Sequence, residues 1–126
     1  MALLCPKCRL NGIRIANSIE LRPPGVWQEC RLQVLDCPSC SYRGPAVYLE
    51  SRAGALDREI VNHYAYDMTP DDLVELEAEI AKCPDRRSRR CDCESHEAIG
   101  GKYRVGEPGV FMGLGAGMWV DWVRDR

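Results

Sequence analysis

The chain contains no apolar run near the roughly eighteen residues that a membrane-spanning helix requires, so no membrane association is expected. Its first residues, Met1-Ala2-Leu3-Leu4-Cys5, offer no basic segment, no long apolar stretch and no small-residue cleavage site. A secretory leader is therefore not expected there. An excess of positive charge is missing too. With a net charge of -2 over 126 residues, no global field attracts nucleic acid. Catalytic signatures are equally scarce: there is no H-E-x-x-H, no G-x-S-x-G and no phosphate-cradling loop. The zinc-deaminase pattern needs a glutamate two residues after its histidine, then P-C-x-x-C. Here Glu97 directly follows His96 and no such pair comes after it. These absences exclude the common enzyme classes, and the chain is expected to be non-catalytic.

Cysteine is what the chain has in quantity, eight residues in all. Four of them form two C-P-x-C pairs, Cys5-Pro6-Lys7-Cys8 and Cys37-Pro38-Ser39-Cys40. Paired C-x-x-C units separated by a hairpin-sized segment present four thiolates to one tetrahedral Zn²⁺. Redox thiols or disulfides are the alternative use of such pairs. With no leader in view, a reducing, cytoplasmic setting and a metal are the expectation. Between the pairs the chain alternates. Ile13, Ile15, Ile19 and Leu21 are expected on one strand face, with Arg14, Ser18, Glu20 and Arg22 on the other. Arg22-Pro23-Pro24-Gly25 reads as a turn. A return strand over 26–35 places Cys30, Leu32 and Val34 opposite Glu29, Arg31 and Gln33, and a third strand covers 46–51.

On Cys5, Cys8, Cys37 and Cys40, residues 3–51 resemble the zinc-ribbon class. That resemblance implies two cysteine knuckles on a β-hairpin pinching one structural zinc. Many ribbon knuckles carry glycine after the second cysteine, where this chain has Arg9 and Ser41. Ribbons serve many tasks, so the resemblance names a scaffold and no activity. Cys30, on an apolar strand face, reads as a buried inert thiol, with service as a ligand of a second cluster as the alternative.

The expected organisation is a ribbon lobe over 1–53, followed over 54–126 by a helical segment, a Cys/His loop and a C-terminal strand. Leu56, Ile60 and Tyr64 suit one face of a helix over 54–66, which carries His63 as a structural residue or, alternatively, a ligand or base. A second helix has a clear start: Thr69 as N-cap, Pro70 at N1, then Asp71 and Asp72 at the positive helix end. Leu73, Leu76 and Ile80 make its core stripe, and Asp72, Glu75 and Glu79 make an acidic face. That face is either simply solvated or matched to a basic partner.

Next comes a C-x7-C-x-C-x2-H cluster, Cys83, Cys91, Cys93 and His96, the ligand types of a Cys₃His zinc site. Cys30 and His63 are alternatives to His96 as fourth ligand. Inside the cluster, Arg86, Arg87, Arg89 and Arg90 form the one concentrated basic patch. It would pair with the acidic helix, with an acidic protein, or with phosphates. Finally, after a Gly100-Gly101 turn, a strand is expected over 110–123. Gly113, Gly115, Gly117 and Trp119 lie on one face, and Trp122 on the other. A G-x-G-x-G nucleotide loop is rejected because the required helix and second strand do not follow. A glycine shelf packed internally, or an exposed contact surface anchored by Trp119 and Trp122, is what such a strand offers.

The composite expectation is an α+β protein: a zinc-ribbon antiparallel sheet, two short helices, a second zinc loop and a C-terminal strand. It holds one zinc or two and binds another protein as an adaptor, inhibitor or regulator. The rival reading is nucleic-acid binding through Arg86 to Arg90.

Overall fold

The computed structural model describes residues 2–23, 27–51, 60–88, 91, 93–103 and 117–123. Two-residue strand β1 (Ala2–Leu3) opens the chain. A hairpin of β2 (Arg14–Leu21) and β3 (Glu29–Asp36) continues into β4 (Arg43–Ser51) and β5 (Ile60–Ala65). Helices α1 (Pro70–Lys82) and α2 (Glu94–Tyr103) follow, and short strands β6 (Met118–Trp119) and β7 (Trp122–Val123) end the described chain. Strands β2 to β6 form one antiparallel sheet in sequential order, while β7 pairs with β1. The α+β class with an antiparallel sheet and two helices is as expected.

One helix is not where periodicity put it. The helix expected over 54–66 is, in its described part, strand β5, paired with β4 from Ala46↔Ala65 to Ser51↔Ile60. Residues 52–59, including Leu56, lie outside the described residues. Ile60 and Tyr64 are four apart, a spacing that satisfies one face of a helix and equally one face of a strand. The β-branched Ile60 and Val61 and an open pairing edge on β4 decide for the strand. The second helix is instead α2, which runs through the expected Gly100-Gly101 turn.

Helix α1 forms as its local signals dictate. Thr69 Oγ1 accepts the Asp72 amide at 3.2 Å, Pro70 opens the first turn, and Lys82 lies in the last. Its stripe of Leu73, Leu76 and Ile80 packs on one sheet face against Ile19, Leu21, Cys30, Leu32, Val34, Val47 and Leu49. Ile99 of α2 joins the same cluster. Each such Leu or Ile withdrawn from water contributes about 1.5–3 kcal/mol.

A bulge splits β2. Ile15 pairs with Leu35 but Asn17 pairs with Val34, so Ala16 is an extra residue without a partner in the ladder. The bulge overturns the single apolar face expected for Ile13, Ile15, Ile19 and Leu21. Ile19 and Leu21 join the helix-side core, whereas Ile13 packs with Leu35 on the opposite side and Ile15 is 47% exposed. One inserted residue turns everything before it to the other face.

The face opposite the helices has two halves. Leu35, Ala46, Ala65 and Val120 cluster with Cys5, Cys37 and Tyr42 in a second small core. The other half is polar: Glu20 pairs with Arg31, Arg31 with Tyr48, and Tyr48 with His63, rung by rung across four strands. Of the glycine shelf, Gly113 and Gly115 lie outside the described residues, and Gly117 packs internally. A Cβ there would stand 2.7 Å from Tyr64 Cβ and 3.1 Å from the Tyr66 ring.

Candidate metal centres

The first centre is built by two tight turns. In each, the amide after the second cysteine returns to the first: Arg9 N–H donates to the Cys5 carbonyl at 2.9 Å and Ser41 N–H to the Cys37 carbonyl at 3.0 Å. Closing such a turn puts Arg9 at φ 65° and Ser41 at φ 64°, the left-handed region that glycine usually fills. The turns bring Cys5 Sγ to 3.6 Å from Cys40 Sγ and Cys8 Sγ to 3.8 Å from Cys37 Sγ. All four sulfurs lie within 4.8 Å of one another. These separations are far beyond a disulfide bond length, and the thiols are free. Burial works against a Cys37 thiolate. The backbone amides of Cys40 and Ser39 outweigh it and bring the thiol down to about 7.

The second centre joins the two helices. Cys83 is the C-cap of α1, and its amide closes the last turn on the Ile80 carbonyl at 3.1 Å. Cys93 immediately precedes α2, and its Sγ accepts the His96 amide at 3.4 Å. The thiolate of Cys93 thus stands in the place of an N-cap oxygen, at the positive end of the helix. That amide is the foremost reason why Cys93 is brought down to about 7. His96 turns Nδ1 to Cys83 Sγ at 2.9 Å and Cys93 Sγ at 3.4 Å, and Cys91 Sγ lies 3.8 Å from Cys83 Sγ. The four ligand atoms again lie within 4.8 Å of one another. The other imidazole nitrogen, Nε2, donates to the Glu20 carbonyl at 2.8 Å. This bond selects the tautomer with a free Nδ1 lone pair, the arrangement that metal-ligating histidines use.

The second loop also covers a sheet edge. Strand β2 is the outermost strand, so its outward N–H and C=O groups need partners. Glu20 has both: its amide donates to the Arg86 carbonyl at 2.7 Å and its carbonyl accepts from His96. The Arg86 guanidinium adds a bond to Asn17 Oδ1 at 2.8 Å, beside the bulge.

The alternative ligands fall away. Cys30 is fully buried in the helix-side core, where burial, helped by the Glu20 charge, pushes its thiol up to about 12. His63 is buried on the polar face, with Nε2 2.7 Å from Gln33 Oε1, and burial lowers its pKa to about 4. It is neutral and belongs to neither ligand set.

The surface candidates are scattered. Asp72 and Glu75 are exposed on α1, and Glu79 is half-buried with Lys82 Nζ 3.4 Å away. Arg86 and Arg87 are exposed, and neither forms an ion pair with α1 among the described residues. Arg89 and Arg90 lie outside the described residues, as does the side chain of Trp122. Trp119 is 44% exposed on edge strand β6, packed edge-on against Tyr64 at 5.1 Å and donating to Asp121 Oδ1 at 2.6 Å.

Sequence patterns did not reveal the polar ladder. Alternation assigns Glu29, Arg31 and Gln33 to one face of β3, but only the pairing register sets Glu50, Tyr48 and His63 beside them. Glu29 and Glu50 are direct cross-strand partners. A hydrogen bond between the two carboxyls, with burial, raises the Glu29 pKa.

No helix among the described residues is long and apolar enough to cross a membrane. The chain matches no described protein family, and no curated protein or solved structure is significantly similar to it.

Proposed function

We propose that both clusters hold Zn²⁺ in closed, structural sites, and that the protein is a non-catalytic, cytoplasmic binding protein built on a zinc-ribbon-like scaffold. The observation that carries this reading is the completeness of the two ligand sets. Each supplies four soft donors from this chain alone, all mutually within 4.8 Å. A tetrahedral zinc with Zn–S of about 2.3 Å needs sulfur–sulfur edges of about 3.8 Å. The separations of 3.6 and 3.8 Å in the first cluster and 3.8 Å in the second suit that geometry. A closed site leaves no coordination position for a substrate, so the metals hold the scaffold and do no chemistry. Free thiols favour a reducing compartment.

Function then belongs to the surface. An adaptor, inhibitor or regulator that binds another protein would use the exposed acids Asp72 and Glu75 of α1, with Glu79 beside them, and Trp119 on the sheet edge. A second reading is supported by Arg87, which forms no ion pair among the described residues and sits beside Arg86 on a loop that the second metal would hold. Such a loop, with Arg89 and Arg90, would bind nucleic acid through phosphates.

Elemental analysis of the purified chain tests the metal reading: two zinc per chain is expected, and none would remove its basis. For the partner, capture from the native host is compared between wild type and Trp119→Ala. A specific protein retained through nuclease and moderate salt, and lost with Trp119→Ala, is expected. Binding to nucleic acid that falls steeply with salt, and disappears in an Arg86→Gln/Arg87→Gln variant, would decide for the rival.

A further inference from the structure

Between the open polar face of the sheet and the second metal loop lies a pocket of about 290 Å³. Three arginines line it, Arg31, Arg86 and Arg87, against one acidic residue, Glu20. Ser18, Gln33 and Ile15 complete its wall. The Glu20 carboxylate is already engaged by Arg31 Nε at 2.6 Å, and Arg31 also reaches Glu29 at 3.4 Å. Arg86 bonds the neutral Asn17 side chain, and among the described residues neither Arg86 nor Arg87 has an acidic partner. The pocket therefore carries uncompensated positive charge in a chain whose overall charge is negative.

A second observation is independent of that charge. Gln33 is 3% exposed, yet it is among the residues that line the pocket. Its Oε1 is occupied by His63 Nε2 at 2.7 Å, with neutral His63 as the donor. With Oε1 held by His63, the –NH₂ group is the end of the Gln33 side chain left to donate to a ligand in the pocket. The bulge at Ala16 belongs to the same construction. It turns Ile15 onto this face and sets Asn17 to hold Arg86 at the rim.

We propose that this pocket binds the phosphate group of a small phosphate monoester. Arg87 and Arg86 supply charge, Gln33 Nε2 and Ser18 Oγ supply neutral donors, and Ile15 gives an apolar wall for the esterified group. Guanidinium groups suit a phosphate because their N–H donors match its oxygens in pairs. The volume, at the lower end of the range for small-molecule pockets, suits a compact ligand. This goes beyond partner binding and needs no unoccupied coordination site on either metal.

The test uses the metal-loaded full chain at constant ionic strength. Inorganic phosphate, adenosine monophosphate, acetate and a short single-stranded oligonucleotide are titrated in separate arms, followed by calorimetry and by the side-chain amide resonances of Gln33. Saturable binding of phosphate and the monophosphate is expected, with the Gln33 amide shifting and acetate at least tenfold weaker. Arg87→Ala should weaken binding about tenfold or more, Gln33→Met severalfold, and Arg43→Ala, an exposed arginine that pairs with Glu77 of α1 and does not line the pocket, not at all. Retained metal content and an unchanged amide spectrum elsewhere confirm that Arg87→Ala is folded. No saturation by either phosphate, or equal weakening by Arg43→Ala and Arg87→Ala, overturns the proposal. So does an oligonucleotide that binds tenfold more tightly than the monophosphate, which would reassign the pocket to a nucleic-acid backbone.

Discussion

His96 donates from Nε2 to the backbone carbonyl of Glu20 at 2.8 Å, across 76 residues of sequence. The bond ties a candidate metal ligand to the edge strand of the sheet, so filling the second centre and sealing that edge are one structural event. Removing the ligand should undo both. His96→Ala is expected to lose one metal equivalent while the first centre keeps its own. It should also cost several kcal/mol, because structural metal binding is folding free energy. Hydrogen exchange at the Glu20 amide should accelerate at least about tenfold. Elemental analysis with residue-resolved exchange checks the pairing of effects; loss of metal without faster exchange at Glu20 would contradict it.

Ser41 occupies a glycine conformation at φ 64° with an exposed side chain. A non-glycine residue there costs roughly 1–2 kcal/mol, part of which the greater unfolded-state freedom of glycine offsets. Ser41→Gly should therefore stabilise the metal-loaded protein by about 0.5–1 kcal/mol, read as a higher denaturation midpoint. Arg9 has the same backbone but pairs with Asp121 at 2.8 Å, so Arg9→Gly should gain less.

Cys30 is fully buried among Ile, Leu and Val, and its thiol is held up at about 12. It should resist alkylation in the native state. Cys30→Ser should retain the full metal complement while losing about 1–3 kcal/mol for a hydroxyl placed in an apolar site. A lost metal equivalent in this variant would make Cys30 a ligand after all.

Burial depresses His63 from 6.5 to about 4. The unfolded chain thus takes up a proton at this site before the folded one does. Stability is unaffected above the unfolded value and falls as pH drops from about 6.5 towards 4, by roughly 3 kcal/mol in total. Because acid also protonates the cysteines, the informative quantity is the difference between wild type and His63→Gln across that window. Direct titration of the His63 ring by NMR should place its midpoint near 4.

Gly117 leaves no room for a methyl group, since a Cβ would stand 2.7 Å from Tyr64 Cβ. Gly117→Ala should cost about 1–3 kcal/mol and loosen β6 from β5. The emission of Trp119, now packed edge-on against Tyr64, would report that loosening.

Local chemistry alone was enough for several parts of this protein. The two C-P-x-C pairs and the C-x7-C-x-C-x2-H cluster can be read from spacing because each ligand set is mostly contributed by short segments. Helix α1 is equally legible, since Thr69, Pro70 and the Leu73-Leu76-Ile80 stripe act within a few turns. Strand β5 was not, because Ile60 and Tyr64 share a face in either a helix or a strand and only pairing with β4 separates the two. The bulge at Ala16 left no mark on the apolar alternation either, yet it turns Ile15 and Ile19 to opposite faces. The Glu20-Arg31-Tyr48-His63 ladder, the seal at Glu20 and the pocket over Gln33 all belong to the tertiary structure. Periodicity records which way a side chain points along its own segment. Register, and the hydrogen bonds that join residues tens of positions apart, are settled when the sheet and the metal loops close on one another.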